Sequence, residues 1–503
     1  MNDLAAFVGP KIEWFSISPL LALLAGALIL LLVGSLTNDW PKHWYSLTAV
    51  FTSALAIGLL ISLWINVSND GAKLLIGGSL TLDHFAILGS IAVCASVLLV
   101  SLISSDYLTR SGSDAPEIYA LYLTAAIGAV VMISANDLIV LFLGLETLSL
   151  SLYLLAASNR QQSASQEAGL KYFILGGFAS AFFLYGVALT YGVSGTTRLN
   201  DLNTALTSYI AVPRNDAILL IGIGLILVGF AFKVSLAPFQ MWTPDVYQGA
   251  PTPVTAFMAS VGKVAALVSL MRVFVVAFPS RSDDWGVVVL VLAILTLIVG
   301  SVVAIVQTNI KRMLAYSSIS HAGFILVGLE AASHRDSANV GDGLVAVGVY
   351  VVLYAALVVG TFAVVTVVAR DASDGATSLD AFKGLAKNQP ALGLVMTVFL
   401  LAQAGMPLTS GFVAKFGVIK SAVAVGSYQL AVVAMVCAVI ASFVYLRIMV
   451  SMWLSDGDAG EKVVVPTLSR VAIGLAVAVT LLVGFLPSLA LDLTSNLAQL
   501  AVK

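Results

Sequence analysis

Charge is what this 503-residue chain has least of: 10% of its residues are Asp, Glu, Lys or Arg, while 60% are hydrophobic. Soluble domains carry roughly 25% charged residues, so the composition excludes an ordinary soluble fold and marks an integral membrane protein. Cysteine is nearly absent. Cys94 and Cys437 each sit inside an apolar run, so the chain alone builds neither a disulfide framework nor a thiol metal site, and both read as small packing residues. With 24 Lys+Arg against 26 Asp+Glu, no positive excess exists to attract nucleic acid. A glycine-rich nucleotide fingerprint and an evident flavin site are missing too. No polar stretch is long enough for a soluble domain; the longest, 194–215 and 371–389, are loop-sized. The first apolar run, near Ile17, lacks a basic leader and a small-residue cleavage site, which predicts a retained span rather than a signal peptide.

Apolar runs of about 20 residues are what the chain has in abundance. They predict an all-α membrane bundle of fourteen helices near 17–36, 46–66, 80–104, 117–134, 135–158, 167–192, 216–247, 252–274, 285–306, 312–331, 343–369, 391–424, 428–454 and 467–490. Helices 7 and 12 are too long for simple spans. Pro238 interrupts the first and the run Ala404-Gly405-Met406-Pro407 the second; such breaks survive in a membrane only where protein or a wet cavity satisfies the freed backbone, and they usually mark a transport site. The two prolines lie 169 positions apart, so helices 4–8 and 9–13 have matched lengths and matched breaks. Five is odd, so the second unit enters from the opposite side and the repeats are expected to be inverted. The expected divisions are a three-helix segment 1–116, repeats 117–284 and 285–455, and a C-terminal helix 456–503.

Loop Lys and Arg set the expected orientation. Twelve, including Lys42, Lys171, Lys311, Arg312, Arg370 and Lys462, follow odd-numbered helices, against nine, including Lys11, Arg214, Arg272, Lys420 and Lys503, on the other face. That bias favours both termini outside. Lys311 and Arg312 are expected as ordinary loop charges, Lys171 and Glu167 as interfacial anchors, Asp137 as a helix N-terminal charge and Glu330 as a snorkelling end residue.

Four charges do not fit a solvated loop: Glu146, Lys233, Lys263 and Lys415 lie inside apolar runs. A charge at mid-membrane costs about 2.5–3.5 kcal/mol on insertion scales and is retained where it has a task. Glu146 is 11 residues past Ala135 and Lys263 is 11 past Thr252, so each lies about 16 Å deep, beyond comfortable snorkelling. Lys233 and Lys415 adjoin the two breaks, where freed carbonyls and water could solvate an ammonium. An ammonium trades protons near neutral pH only when its surroundings disfavour its charged form, and an approaching carboxylate restores that form. A mobile carboxylate is therefore a switch, and the four residues predict a proton or ion path. A static Glu146–Lys233 pair is the plainer alternative, but a buried pair usually gives no net stability. Packing roles remain open for Lys263 and Lys415, and His321 stands between core hydrogen bonding and proton relay.

The stretch from Gly229 to Lys263, GFAFKVSLAPFQMWTPDVYQGAPTPVTAFMASVGK, resembles the signature of the antiporter-like membrane subunits of respiratory complex I. Three further segments agree: SANDLIVLFLGLE ending at Glu146, EAGLKYFILGGFASAFFLYG from Glu167, and NIKRMLAYSSISHAGF from Asn309. Within that family PDVYQGAPTP (Pro244 to Pro253) is similar to the N-type subunits rather than the L and M types. A long C-terminal extension of the L type is missing, and Lys415 stands where M types usually have glutamate. The resemblance implies that Glu146 modulates Lys233, that Lys263 relays protons, that Lys415 releases them, and that His321 assists. Many relatives have His where this chain has Gln240, which cannot take up a proton near neutral pH and is expected only to hydrogen-bond or order water.

The implied function is proton translocation in a bacterial plasma (inner) membrane, within an NADH:quinone oxidoreductase. This chain is expected to hold no cofactor; FMN, iron–sulfur clusters and quinone belong to partner subunits. The implied partners are antiporter-like subunit M, small subunits of the K and J types, membrane lipid and, indirectly, the peripheral redox arm. The alternatives are a subunit of a multisubunit sodium/proton antiporter and a non-transporting assembly scaffold.

Overall fold

The computed structural model describes residues 9, 12–37, 40–41, 43–208, 213–335, 340–369, 374–456, 463–494 and 497. The chain opens with α1 (Ser18–Leu36), α2 (His43–Asp70) and a two-stranded antiparallel hairpin, β1 (Lys73–Leu75) and β2 (Leu80–Leu82). There follow α3 (His84–Arg110), α4 (Pro116–Ser134), α5 (Leu138–Ala156) and α6 (Ser163–Ser194). Next come α7 (Leu199–Ser208), α8 (Pro213–Val234), α9 (Trp242–Gly249), α10 (Thr252–Phe257) and α11 (Lys263–Arg272). The second half holds α12 (Ser282–Ile305), α13 (Ile310–Ala331), α14 (Val340–Val368), α15 (Leu385–Asn388), α16 (Pro390–Ala404) and α17 (Ser410–Ala424). It closes with α18 (Tyr428–Trp453), α19 (Thr467–Phe485) and α20 (Ser488–Thr494).

Thirteen helices among the described residues are long and apolar enough to cross a membrane. The fourteenth sequence segment, 391–424, is divided into the shorter α16 and α17, and 216–247 is divided into α8 and α9. The expected start of helix 3 at 80 moves to His84, because residues 80–82 pair as a strand and Asp83 caps the helix, accepting from the Ala86 amide at 2.7 Å. The polar stretch expected as a loop from 194 holds α7 over Leu199–Ser208. Lys11, Lys42, Arg370, Lys462 and Lys503, counted for topology, and both chain ends lie outside the described residues, as does the side chain of Arg214.

Local chemistry explains the helix starts. Asp137 accepts from the Ile139 and Val140 amides at 2.8 and 3.2 Å, and Asn309 does the same for Lys311 and Arg312. Each side chain thereby satisfies donors that have no partner within the helix. Small residues then let helices touch. A Cβ on Gly128 would lie 2.5 Å from the Leu148 amide, and one on Gly144 would lie 2.8 Å from the Met132 amide, so α4 and α5 meet backbone to backbone.

Burial separates an inner bundle from an exposed outer shell. In the 18-residue core of the span Ile310–Ala331, 94% of the residues are buried, and in that of Thr252–Ala277 89%, against 28% in each of Ser18–Leu36 and Thr467–Phe485. The inner spans carry Lys263 and His321.

Candidate functional site

The first centre forms around Lys233 at the last turn of α8. Its Nζ donates to Ser149 Oγ at 2.8 Å and lies 3.4 Å from Tyr172 OH, with the Tyr153 and Tyr172 rings 5.9 and 5.5 Å away. Ser149 stands one turn beyond Glu146 on α5, so the carboxylate and the hydroxyl share a helix face. No ion pair within 4.0 Å joins Glu146 to Lys233, and Glu146 Oε1 is buried without a hydrogen-bond partner. The pair is separated rather than locked.

The break beside Lys233 does not solvate its ammonium, contrary to the sequence expectation. Ser235 takes φ +70°, the Phe232 carbonyl accepts from Trp242 Nε1 at 2.9 Å, and the Ala237 amide donates to Thr296 Oγ1 at 3.0 Å. Neighbouring side chains satisfy the loosened backbone and leave the lysine to the hydroxyls of α5 and α6. Gln240, just past Pro238, keeps a buried Oε1 with no hydrogen-bond partner, as a site that binds water would.

Lys263 is 2% exposed and opens α11 directly after a π-helical turn, Met258–Gly262. Such turns recur at functional sites because they displace the helix register. Its Nζ donates to the Ser318 carbonyl of α13 at 2.7 Å, and Ser318 Oγ lies 2.7 Å from Tyr354 OH. The Tyr354 ring sits 5.1 Å from His321, whose Nδ1 lies 2.7 Å from Tyr350 OH. His321 Nε2 is buried and has no partner. A small cavity of about 10 Å³ lined by His321, Tyr350, Tyr354, Gly411 and Ala414 reaches the helix that carries Lys415; it is the size of one water.

Lys415 uses its helix break directly. The ammonium donates to the Gln403 and Ala404 carbonyls at 2.8 and 3.1 Å, the last groups of α16, and it lies 4.7 Å from the Phe324 ring centre. Those carbonyls carry the partial negative charge of a helix C-terminus. The side chain of Gln403 extends the network: Oε1 accepts from Ser317 Oγ at 3.1 Å and Nε2 donates to Thr361 Oγ1 at 2.6 Å. Ser317 Oγ also meets Tyr445 OH at 2.5 Å. Hydroxyls and carbonyls thus surround Lys263 and a second set surrounds Lys415, with His321 and the small cavity between the two. Ser149, Tyr172, Ser318, Tyr350, Tyr354 and Gln403 were not singled out by the sequence; serines and tyrosines in apolar helices leave no signal until helices meet.

Several charges differ from their sequence expectation. Arg272, counted as a loop charge, is 2% exposed and holds Asp83 through two hydrogen bonds of 2.7 and 2.8 Å, while its Nε donates to the Ile133 carbonyl. Lys311 is buried, donating to the Gln248 and Ala250 carbonyls, and so holds the C-terminal end of α9. Glu330 does not snorkel: it is 4% exposed and accepts from Ser427 Oγ at 2.7 Å, with His334 Nε2 at 2.9 Å. In each case a segment distant in sequence supplies a partner. Lys171 and Glu167 do lie at the start of α6, paired at 2.7 Å.

Asp245 on α9 joins three elements, receiving Lys171 of α6 at 3.2 Å and Arg312 of α13 at 2.7 Å. Partial burial opposes its ionisation, but the hydrogen bonds from Arg312 and Lys171 outweigh burial and hold the carboxyl below its usual pKa.

Residues 135–441 match the family described as NADH:quinone oxidoreductase/Mrp antiporter, TM. The chain is 37% identical over 502 residues to NADH-quinone oxidoreductase subunit N 1 of Herpetosiphon aurantiacus, covering 99% of both chains. It is 46% identical over 393 residues to NADH-quinone oxidoreductase subunit N of Rhodococcus opacus, covering 78% of this chain and 71% of that one. Among solved structures it matches a chain of respiratory complex I from Thermus thermophilus with bound aureothin, at a TM-score of 0.77 and 31% identity, over 94% of this chain and 98% of that one.

Proposed function

The chain belongs to the NADH:quinone oxidoreductase/Mrp antiporter family of membrane proteins, as an antiporter-like subunit of the N type, and from that premise we propose that Lys233, Lys263 and Lys415 carry protons through it. Glu146 biases Lys233, Lys263 passes the proton on with His321 as an auxiliary relay, and Lys415 releases it. The observation that carries this reading is a contrast in partners: three buried ammonium groups rest on neutral hydroxyls and carbonyls, while the nearby carboxylate Glu146 stays outside ion-pair distance. An ammonium without a fixed counter-ion can be loaded and unloaded; one in a tight ion pair is held charged.

In this reading the redox chemistry lies in other subunits, with FMN, iron–sulfur clusters and quinone bound there, and this chain converts their energy into proton movement. Its neighbours are antiporter-like subunit M and small K- and J-type subunits of a bacterial inner membrane, with both termini outside. Helices 4–8 and 9–13 act as two inverted units, each with one break and one adjoining lysine.

The test is proton pumping by the assembled complex in proteoliposomes. Lys233→Ala and Lys263→Met should each lower both NADH oxidation with quinone and the proton yield sharply, at unchanged subunit content. Normal pumping by either variant would sink its assignment.

A further inference from the structure

We infer that Ser149, Tyr153 and Tyr172 form a neutral seat for the Lys233 ammonium, a resting position that competes with Glu146 for the lysine head. The inference rests on the proton-carrying role proposed for Lys233 and adds how that head is positioned. Ser149 is buried, and its hydroxyl donates to the Leu145 carbonyl at 2.5 Å. With its proton committed there, the oxygen offers Lys233 only lone pairs. A serine bonded to its own preceding turn is ordinary helix chemistry. An ammonium from another helix placed 2.8 Å from the same oxygen is a separate feature, which that bond does not require. Two tyrosines complete the seat. Their ring centroids are 4.7 Å apart with the planes at 85°, and the ammonium lies over both rings. The negative face of a ring attracts a cation without itself carrying a charge.

Each ring is fixed by a neighbour. Tyr172 stacks on Trp242 of α9 with centroids 4.3 Å apart, and Trp242 Nε1 donates to the carbonyl of Phe232, the residue before Lys233. Tyr153 passes its hydroxyl over the bare backbone of Gly176 on α6, where a Cβ would overlap it. The alternative position is Glu146. It lies three residues before Ser149 on α5, about 4.5 Å along the helix axis, and acts electrostatically on both Lys233 and Tyr153. Even so, no ion pair within 4.0 Å joins it to the lysine, and its Oε1 is buried without a hydrogen-bond partner. The flexible lysine stem covers a step of that length by turning its own bonds, with both helices left in place. On the seat the ammonium meets no counter-charge; beside Glu146 it does, and the carboxylate favours the charged form. The swing makes and breaks no covalent bond.

The experiment keeps the seat apart from the role of Lys233. Ser149→Ala and Lys233→Ala are compared in the assembled complex for proton yield per NADH oxidised, and the position of Lys233 in the Ser149→Ala complex is read by electron cryo-microscopy against the wild type. The alanine removes one oxygen and suits a helix at least as well as serine does. The seat predicts a lowered proton yield together with a shift of Lys233 Nζ to within about 4 Å of a Glu146 carboxylate oxygen, the range of an ion pair. Loss of a merely structural serine would not create that contact. A lowered yield with Lys233 still apart from Glu146 overturns the seat, as does full yield in Ser149→Ala beside an impaired Lys233→Ala. Full yield in Lys233→Ala removes the carrier and the seat with it.

Discussion

A single side chain decides whether the Glu146–Lys233 couple is a lock or a switch. Glu146 touches no fixed cation and Lys233 leans on Ser149, so the role proposed for the carboxylate depends on charge and reach. Glu146→Asp keeps the charge and should retain much of the pumping, whereas Glu146→Gln should lose most of it; equal activity in the two would make the residue packing. Arg272 has the opposite character. Its guanidinium grips Asp83 with two bonds and caps the Ile133 carbonyl, all out of solvent, so Arg272→Leu leaves a buried carboxylate without its cation. Breaking such a pair costs about 3–5 kcal/mol. The expected result is a marked fall in melting temperature and subunit recovery from membranes, and wild-type thermal stability of the purified variant complex would contradict it.

At the scale of elements, the helix breaks have different uses. α16 ends so that its carbonyls face Lys415, and the next turn is packed so closely that a Cβ on Gly411 would lie 1.7 Å from the Ala402 carbonyl oxygen. The break between α8 and α9 instead lets α9 pack with its Trp242, Val246 and Tyr247 buried, and Asp245 ties it to α6 and α13. The Asp245 carboxyl is held below its usual pKa, so its stabilising share is complete above the unfolded value of about 3.9 and disappears as pH falls through the lower folded value. With the side chain 40% exposed, solvent screens the effect and keeps it small. Lowering the pH from about 5 to about 3 should therefore reduce the melting temperature more in the wild type than in Asp245→Asn. Parallel curves for the two would remove Asp245 as the cause.

The whole molecule is arranged from inside out. Its most buried spans carry the lysine of α11 and the histidine of α13, while its first and last long helices are mostly exposed within the chain, as surfaces for lipid or neighbouring subunits are. An N-type subunit should purify from native membranes with flavin and iron–sulfur proteins, and stable isolation with antiporter subunits alone would favour the multisubunit antiporter. Mass spectrometry of the affinity-purified complex makes that distinction.

The all-helical membrane class was legible in the sequence because 60% hydrophobic content arranged in 20-residue runs leaves the backbone few other ways to satisfy its hydrogen bonds in lipid. So were the burial of Lys233, Lys263 and Lys415, since a charge amid apolar neighbours stands out whatever its partners, and the N-type resemblance, carried by the stretch from Gly229 to Lys263. What those ammonium groups touch was not legible. Ser149 lies 84 positions from Lys233 and Ser318 lies 55 from Lys263, and a serine in an apolar helix most often bonds its own preceding turn. Arg272 resembled a helix-end charge for the same reason: its partner Asp83 is 189 positions away. Local pattern fixes which residues enter the membrane, whereas hydrogen bonds between helices exist only after packing, so tertiary structure alone decided that the lysines stand on neutral oxygens and that Arg272 is locked.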